Sequence, residues 1–90
     1  MNWINRIGTI HYEGNGNFPI DMSSVPAIDE KVRLKMDDYE FDVVIKGIDG
    51  DLYNGIVEII GPSSTLEACG IKRGDNVSFH EKHIHMLYRK

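Results

Sequence analysis

"EKVRLKMDDYEFDVVIK", residues 30–46, decides the fold. Val32, Leu34 and Met36 fall on one side of an alternating pattern, and Lys31, Arg33 and Lys35 on the other. After Asp37-Asp38 the alternation resumes, with Tyr39, Phe41, Val43 and Ile45 on one side and Glu40, Asp42 and Lys46 among the others. Successive side chains of a strand point to opposite faces, so a period of two predicts a pair of half-buried antiparallel strands. Aspartate tolerates tight-turn geometry, and Asp37-Asp38 is therefore expected to close a hairpin.

The same reading extends outward along the chain. Asp49-Gly50 is a second turn signal. "LYNGIVEII", residues 52–60, then returns as a strand in which Gly55 marks a bulge or bend. "SSTLEACG", residues 63–70, carries the one helical signal. Ser64 suits an N-cap, Glu67 completes a capping box, and Gly70 can take the left-handed position that ends a helix. "GIKRGDNVSF" leads into a further strand and "HIHMLY" leaves in another, while "RIGTIHY" near the start is a strand as well. "EGNGNFPIDMSSVPA", residues 13–27, is turn-rich and reads as the longest loop. The expected architecture is mostly β: a small antiparallel barrel or sandwich of five to six strands with one short helix near residues 64–69. Val32, Leu34, Tyr39 and Phe41 recur in spacing as Val77, Phe79, Ile84 and Met86, but any two hairpins with short turns share that spacing.

A length of 90 residues fits a single domain over 1–90 with one small core. Hydrophobic residues at 41% and charged residues at 27% place the chain among ordinary globular proteins. No apolar run approaches the roughly 20 residues needed to span a bilayer, and "MNWINRIGTI" has no secretion signal. Cys69 is the one cysteine and can form no internal disulfide, so a reducing cytoplasm is the expected compartment.

The formal charge of −4 argues against a nucleic-acid protein, although the charge is unevenly spread. From Asp21 to Glu58 there are ten acids against Lys31, Arg33, Lys35 and Lys46; from Lys72 to Lys90 there are five bases against Asp75 and Glu81. Such asymmetry marks either a partner surface or two solvated faces of opposite sign.

Three of the four histidines lie within "HEKHIH", residues 80–85. With Val77, Phe79, Ile84 and Met86 turned to the core and Glu81-Lys82 as a turn, Ser78, His80, His83 and His85 share the outer face of a hairpin. His80 then stands opposite His83. This arrangement offers two readings: an open metal site on His80, His83 and His85, or a binding surface of Ser78, His80, Lys82, His83 and His85 facing solvent or a partner. No carboxylate or cysteine at ligand spacing accompanies the histidines, which favours the surface.

Other chemistry is sparse. "EGNGN" lacks the third glycine and the strand–helix frame of a nucleotide fingerprint, and "DGDLYNG" lacks the twelfth-position glutamate of a calcium loop. Cys69 sits at the wrong end of the expected helix for an activated thiol and reads as a small buried hydrophobe. Ser63 and Ser64 have no nucleophile elbow or oxyanion donors. No catalytic set and no cofactor motif stands out, so neither an enzyme nor a cofactor is expected.

From Phe41 to Met86, the order of a strand, "DGDLYNGIV", a short connection, "GIKRGDNVSF" and a closing "HIHML" resembles the small YegJ-like bacterial domains of unknown function. The likeness covers about half the chain and rests on unspecific motifs. It implies a small β-rich domain and brings no activity with it.

The leading functional expectation is a non-catalytic binding module, with an inhibitor or immunity-type protein as one form of it and another protein as its partner. The alternatives are a metal- or small-ligand-binding domain on the histidine face and a nucleic-acid-binding small barrel. The last is disfavoured by the acidic total and by a shortage of stacking aromatics beyond Trp3, Tyr12 and Tyr88.

Overall fold

The alternating stretch folds as its pattern dictates. β2 (Lys31–Met36) and β3 (Tyr39–Asp49) pair antiparallel from Met36↔Tyr39 to Lys31↔Val44, with Asp37-Asp38 as the turn and Asp37 at φ 53°. Val32, Leu34, Phe41, Val43 and Ile45 are fully buried on one face. The next turn, Gly50-Asp51 with Gly50 at φ 59°, returns the chain as β4 (Leu52–Gly61) in register Asp49↔Leu52. The computed structural model describes residues 3–8, 10–13, 26–61 and 67–88.

Six strands form the main sheet, in the order β1-β8-β2-β3-β4-β7, where β1 is His11–Glu13, β7 is Asn76–His80 and β8 is Met86–Tyr88. Five of them are antiparallel neighbours, and β1 adds to β8 in parallel. A second, two-stranded sheet joins β5 (Glu67–Ala68) to β6 (Ile71–Lys72). Among the described residues the end strands β1 and β7 do not pair, so the sheet does not close into the expected barrel. No helix of the described residues is long and apolar enough to cross a membrane.

Two local features bend the long β3–β4 ribbon. The register shifts once between Ile45 and Gly47 and once between Asp42 and Val43, leaving Lys46 and Glu58 as extra residues on their strands. Such bulges increase the right-handed twist of a strand pair. Between them Gly55 opposes Ile45 so closely that a Cβ would strike the Val43 side chain and lie 2.6 Å from the Val44 carbonyl oxygen. Gly55 thus sits beside a bulge, as its place in the strand suggested, and close backbone approach explains the glycine.

The helix expected near residues 64–69 is not formed over its second half. Glu67 and Ala68 are extended, and Ala68 pairs with Ile71 across a turn of Cys69 and Gly70. Both turn residues have positive φ, 54° and 77°, as a tight hairpin of this kind requires. Glycine at the presumed helix end was serving a hairpin, and a helix of one or two turns gains too few hydrogen bonds to offset nucleation. Residues 64–66 lie outside the described part. Cys69 is exposed rather than buried, while Ala68 and Ile71 enter the core. Partial desolvation, then the Asp37 carboxylate beside it, pushes the Cys69 thiol upward from its ordinary value. The expected strand "RIGTIHY" survives only at its end, as β1.

One core cluster unites these elements, running from Trp3 and Ile10 through the central strands to Ile71, Val77, Phe79, Ile84 and Leu87. Phe41 and Phe79 are its largest fully buried side chains. Truncating Phe79 to alanine is expected to cost about 3–5 kcal/mol in urea denaturation. Gly55→Ala, although it adds only a methyl, is expected to cost about 1–3 kcal/mol through overpacking at the bend.

Candidate functional site

The C-terminal histidines do not lie on a hairpin. β7 pairs with β4, and β8 pairs with β2 and β1, so the two strands are separated by three others in the sheet order. Glu81–His83 forms a 3-10 turn that carries the chain from one to the other. Val77, Phe79 and Ile84 are buried as their pattern suggested, but Met86 is only half-buried and Leu87 takes the core position. The reason is register: Leu87 stands opposite Val32 on β2, and Val32 faces the core. The spacing echo of the β2–β3 hairpin in residues 77–86 therefore has no counterpart in pairing.

Each of these three histidine rings is engaged by main chain. The His80 amide donates to His83 Nδ1 at 3.0 Å, so that nitrogen carries a lone pair and His83 holds its proton on Nε2. His80 Nδ1 lies 3.1 Å from the Asp51 carbonyl, which can only accept, and His80 therefore donates from Nδ1. His85 Nε2 donates likewise to the Ile4 carbonyl at 2.8 Å. The rings of His80 and His83 meet edge to face at 5.8 Å. Among the described residues no group of three or more histidine, cysteine or acidic side chains is gathered to hold a metal ion. The three histidines expected to share one chelating face instead serve three different pieces of backbone.

The N-terminal segment completes this end of the molecule. The Ile4 amide donates to the Lys35 carbonyl at 2.9 Å, and the Arg6 amide to the Lys82 carbonyl at 2.7 Å. The Arg6 guanidinium donates to the carbonyls of Glu81 and Ile84 and pairs with the Glu81 carboxylate at 2.9 Å. Trp3 is buried, meets Phe41 edge to face at 5.3 Å, and donates Nε1–H to the Ser78 carbonyl at 2.9 Å. It is thus a core residue and no stacking platform. Tyr88 lies half-buried with the Arg33 guanidinium over its ring. Sequence reasoning missed Trp3 and Arg6 as anchors; the signal available was that a lone tryptophan in so small a domain is worth more buried than exposed.

β7 is an edge strand among the described residues. Alternate residues of an antiparallel strand turn their backbone groups to opposite sides. The Ser78 carbonyl and His80 amide both bond away from β4, so Asn76, Ser78 and His80 present backbone to the open edge. Trp3 and His83 therefore cap an edge that would otherwise invite another strand. Beside it lies a shallow recess of about 430 Å³ lined by Gly50, Asp51, Tyr53, His80, Glu81 and Lys82. Tyr53 is nearly buried and stacks on Phe79 at 5.6 Å. Burial, then Glu81 and Asp51, pushes its hydroxyl above its ordinary value, so it stays neutral. Of the expected surface residues, Ser78, His80 and Lys82 are exposed, while His83 and His85 are half-covered. No family model, curated protein or solved structure matches the chain.

Elsewhere three cations of the main sheet are paired, while Lys35 on β2 has no ion pair among the described residues. Arg33 binds Asp42 at 2.9 Å and Glu40 at 3.2 Å, Lys31 binds Glu58 at 2.7 Å, and Lys46 binds Asp29 at 3.3 Å. Asp42 is the one buried charged side chain of the described residues, and its bond to Arg33 satisfies it. Lys82 has no ion pair among the described residues.

Two predictions follow from the capped edge. Trp3→Phe keeps an aromatic ring on Phe41 but orphans the Ser78 carbonyl, and is expected to cost about 1 kcal/mol in urea denaturation. Acid should also weaken the fold. Desolvation, followed by Lys82, His80 and His85, lowers the His83 pKa below its ordinary 6.5. The unfolded chain then binds the proton more readily. His83's contribution is complete above pH 6.5 and is lost as pH falls through the lower folded-state value, which urea midpoints measured across that window will register.

Proposed function

We propose that the protein is a non-catalytic binding module that accepts an extended segment of another protein along the β7 edge. An inhibitor or immunity-type role is one form such a module takes. The observation that carries the reading is the placement of an edge strand, capped only by side chains, directly beside the recess at Tyr53, His80 and Lys82. Strand addition draws affinity from main-chain hydrogen bonds and specificity from pockets that take alternate side chains, and both elements are adjacent here. Lys82, unpaired among the described residues, lines that recess, where a side chain of the incoming segment would lie. Glu81 is already occupied by Arg6.

The alternatives draw less support. An open recess leaves a small ligand largely hydrated, whereas small-molecule sites enclose most of their ligand. Nucleic-acid binding rests on cations available to phosphates, and Arg6, Lys31, Arg33 and Lys46 are each held by a carboxylate. The cations without one among the described residues, Lys35, Arg73 and Lys82, lie separately on β2, the turn between β6 and β7, and the 3-10 turn. A soluble cytoplasmic setting agrees with the single free thiol and remains part of this proposal.

The test is site-specific photo-crosslinking in cells of origin, with the reactive group at Lys82 or at Asp38 on the β2–β3 turn. The expected result is one discrete protein adduct from position 82 and none from position 38. Ser78→Pro should abolish that adduct while leaving the fold intact, because the Ser78 amide faces the open edge and not β4. An adduct that survives Ser78→Pro, or arises only from position 38, would contradict strand addition at β7.

A further inference from the structure

We propose that His83 is an acid-released latch on the β7 edge, holding the His80 amide closed while neutral and freeing it for an incoming strand when protonated. This rests on the binding role proposed for that edge and adds its regulation. The geometry is direct. A neutral imidazole can accept at Nδ1, whereas an imidazolium has protons on both nitrogens and can only donate. Protonation of His83 therefore sets N–H against N–H across the 3.0 Å contact with His80, and the ring must swing away. The freed amide is one of the groups an added strand would bond.

The surroundings favour release over retention. The 3-10 turn brings Lys82 and Glu81 next to His83, β7 brings His80, the segment entering β8 brings His85, and the N-terminal segment brings Arg6. Glu81 is the near carboxylate, and it is occupied by the Arg6 guanidinium at 2.9 Å. Asp51 lines the same recess, and its backbone carbonyl, not its carboxylate, meets His80. Desolvation, then Lys82, His80 and His85, disfavour an imidazolium at position 83, and the loss of its Nδ1 bond is not replaced by an ion pair among the described residues. His85 and His80 both donate through their bonded nitrogens, so their protonation leaves those contacts in place. His83 accepts through Nδ1, and acid breaks that bond.

The experiment is amide hydrogen exchange of the whole protein, followed residue by residue by NMR as pH is lowered from about 7 to about 5. Protection of the His80 amide, corrected for intrinsic exchange, should fall about tenfold or more. The Val77 and Phe79 amides, which face β4, should keep theirs. His83→Asn retains an acceptor that does not titrate, and His80 protection in that variant should stay flat across the range. His83→Ala should show the low protection at both ends. His80 protection that is independent of pH in the parent, or that falls in parallel with Val77 and Phe79, would overturn the latch. This outcome is separable from the crosslinking result: a working latch without an adduct at position 82 removes the binding role alone, and an adduct without a pH-dependent His80 amide removes the latch alone.

Discussion

The close approach of β3 and β4 at Gly55 is the constraint on which the rest of the ribbon depends. Only a residue without a Cβ fits between Val43 and the Val44 carbonyl, and the bulges at Lys46 and Glu58 flank that point. Bulges and a glycine contact let a long ribbon twist strongly, so its apolar face can curve around Phe41 and Phe79. Beyond this ribbon β4 receives β7, which stands at the edge of the sheet among the described residues. An edge strand must then be managed, and this protein manages it with side chains. Trp3 takes the Ser78 carbonyl and His83 takes the His80 amide.

How much of this was legible follows from the range of the interactions involved. The β2–β3 hairpin was readable because its signal is local: strict alternation on both strands and a turn of two aspartates between them. Phe41 and Phe79 as core residues, and Gly55 as the mark of a bulge, were readable for the same reason. The failures share a different cause. "SSTLEACG" contains a valid capping box, yet Cys69-Gly70 also suits a tight turn, and pairing of Ala68 with Ile71 decided between them. Residues 77–86 contain a valid hairpin pattern, yet both β7 and β8 found better partners elsewhere in the sheet. A sequence pattern reports which face a residue prefers and says little about which strand lies beside it.

The histidines illustrate the same limit at the level of chemistry. Their spacing is compatible with a common chelating face, and the reading failed at its premise, the β7–β8 hairpin. Once the two strands diverge, His80 reaches back to the β3–β4 turn, His83 folds onto its own strand end, and His85 reaches the N-terminal segment. What was foreseeable is the exposure of Ser78, His80 and Lys82; what was not is that Trp3 and Arg6, more than seventy residues away in sequence, complete their surroundings.

The β7 end of the molecule is held by these rings binding backbone. Nitrogen-15 NMR of the imidazoles at neutral pH tests it most directly, because the shifts of Nδ1 and Nε2 report which nitrogen holds the proton. The predicted result is a fixed and unequal set: the proton on Nδ1 in His80, and on Nε2 in His83 and His85. Three rings that each average between tautomers, like free imidazole in water, would contradict it.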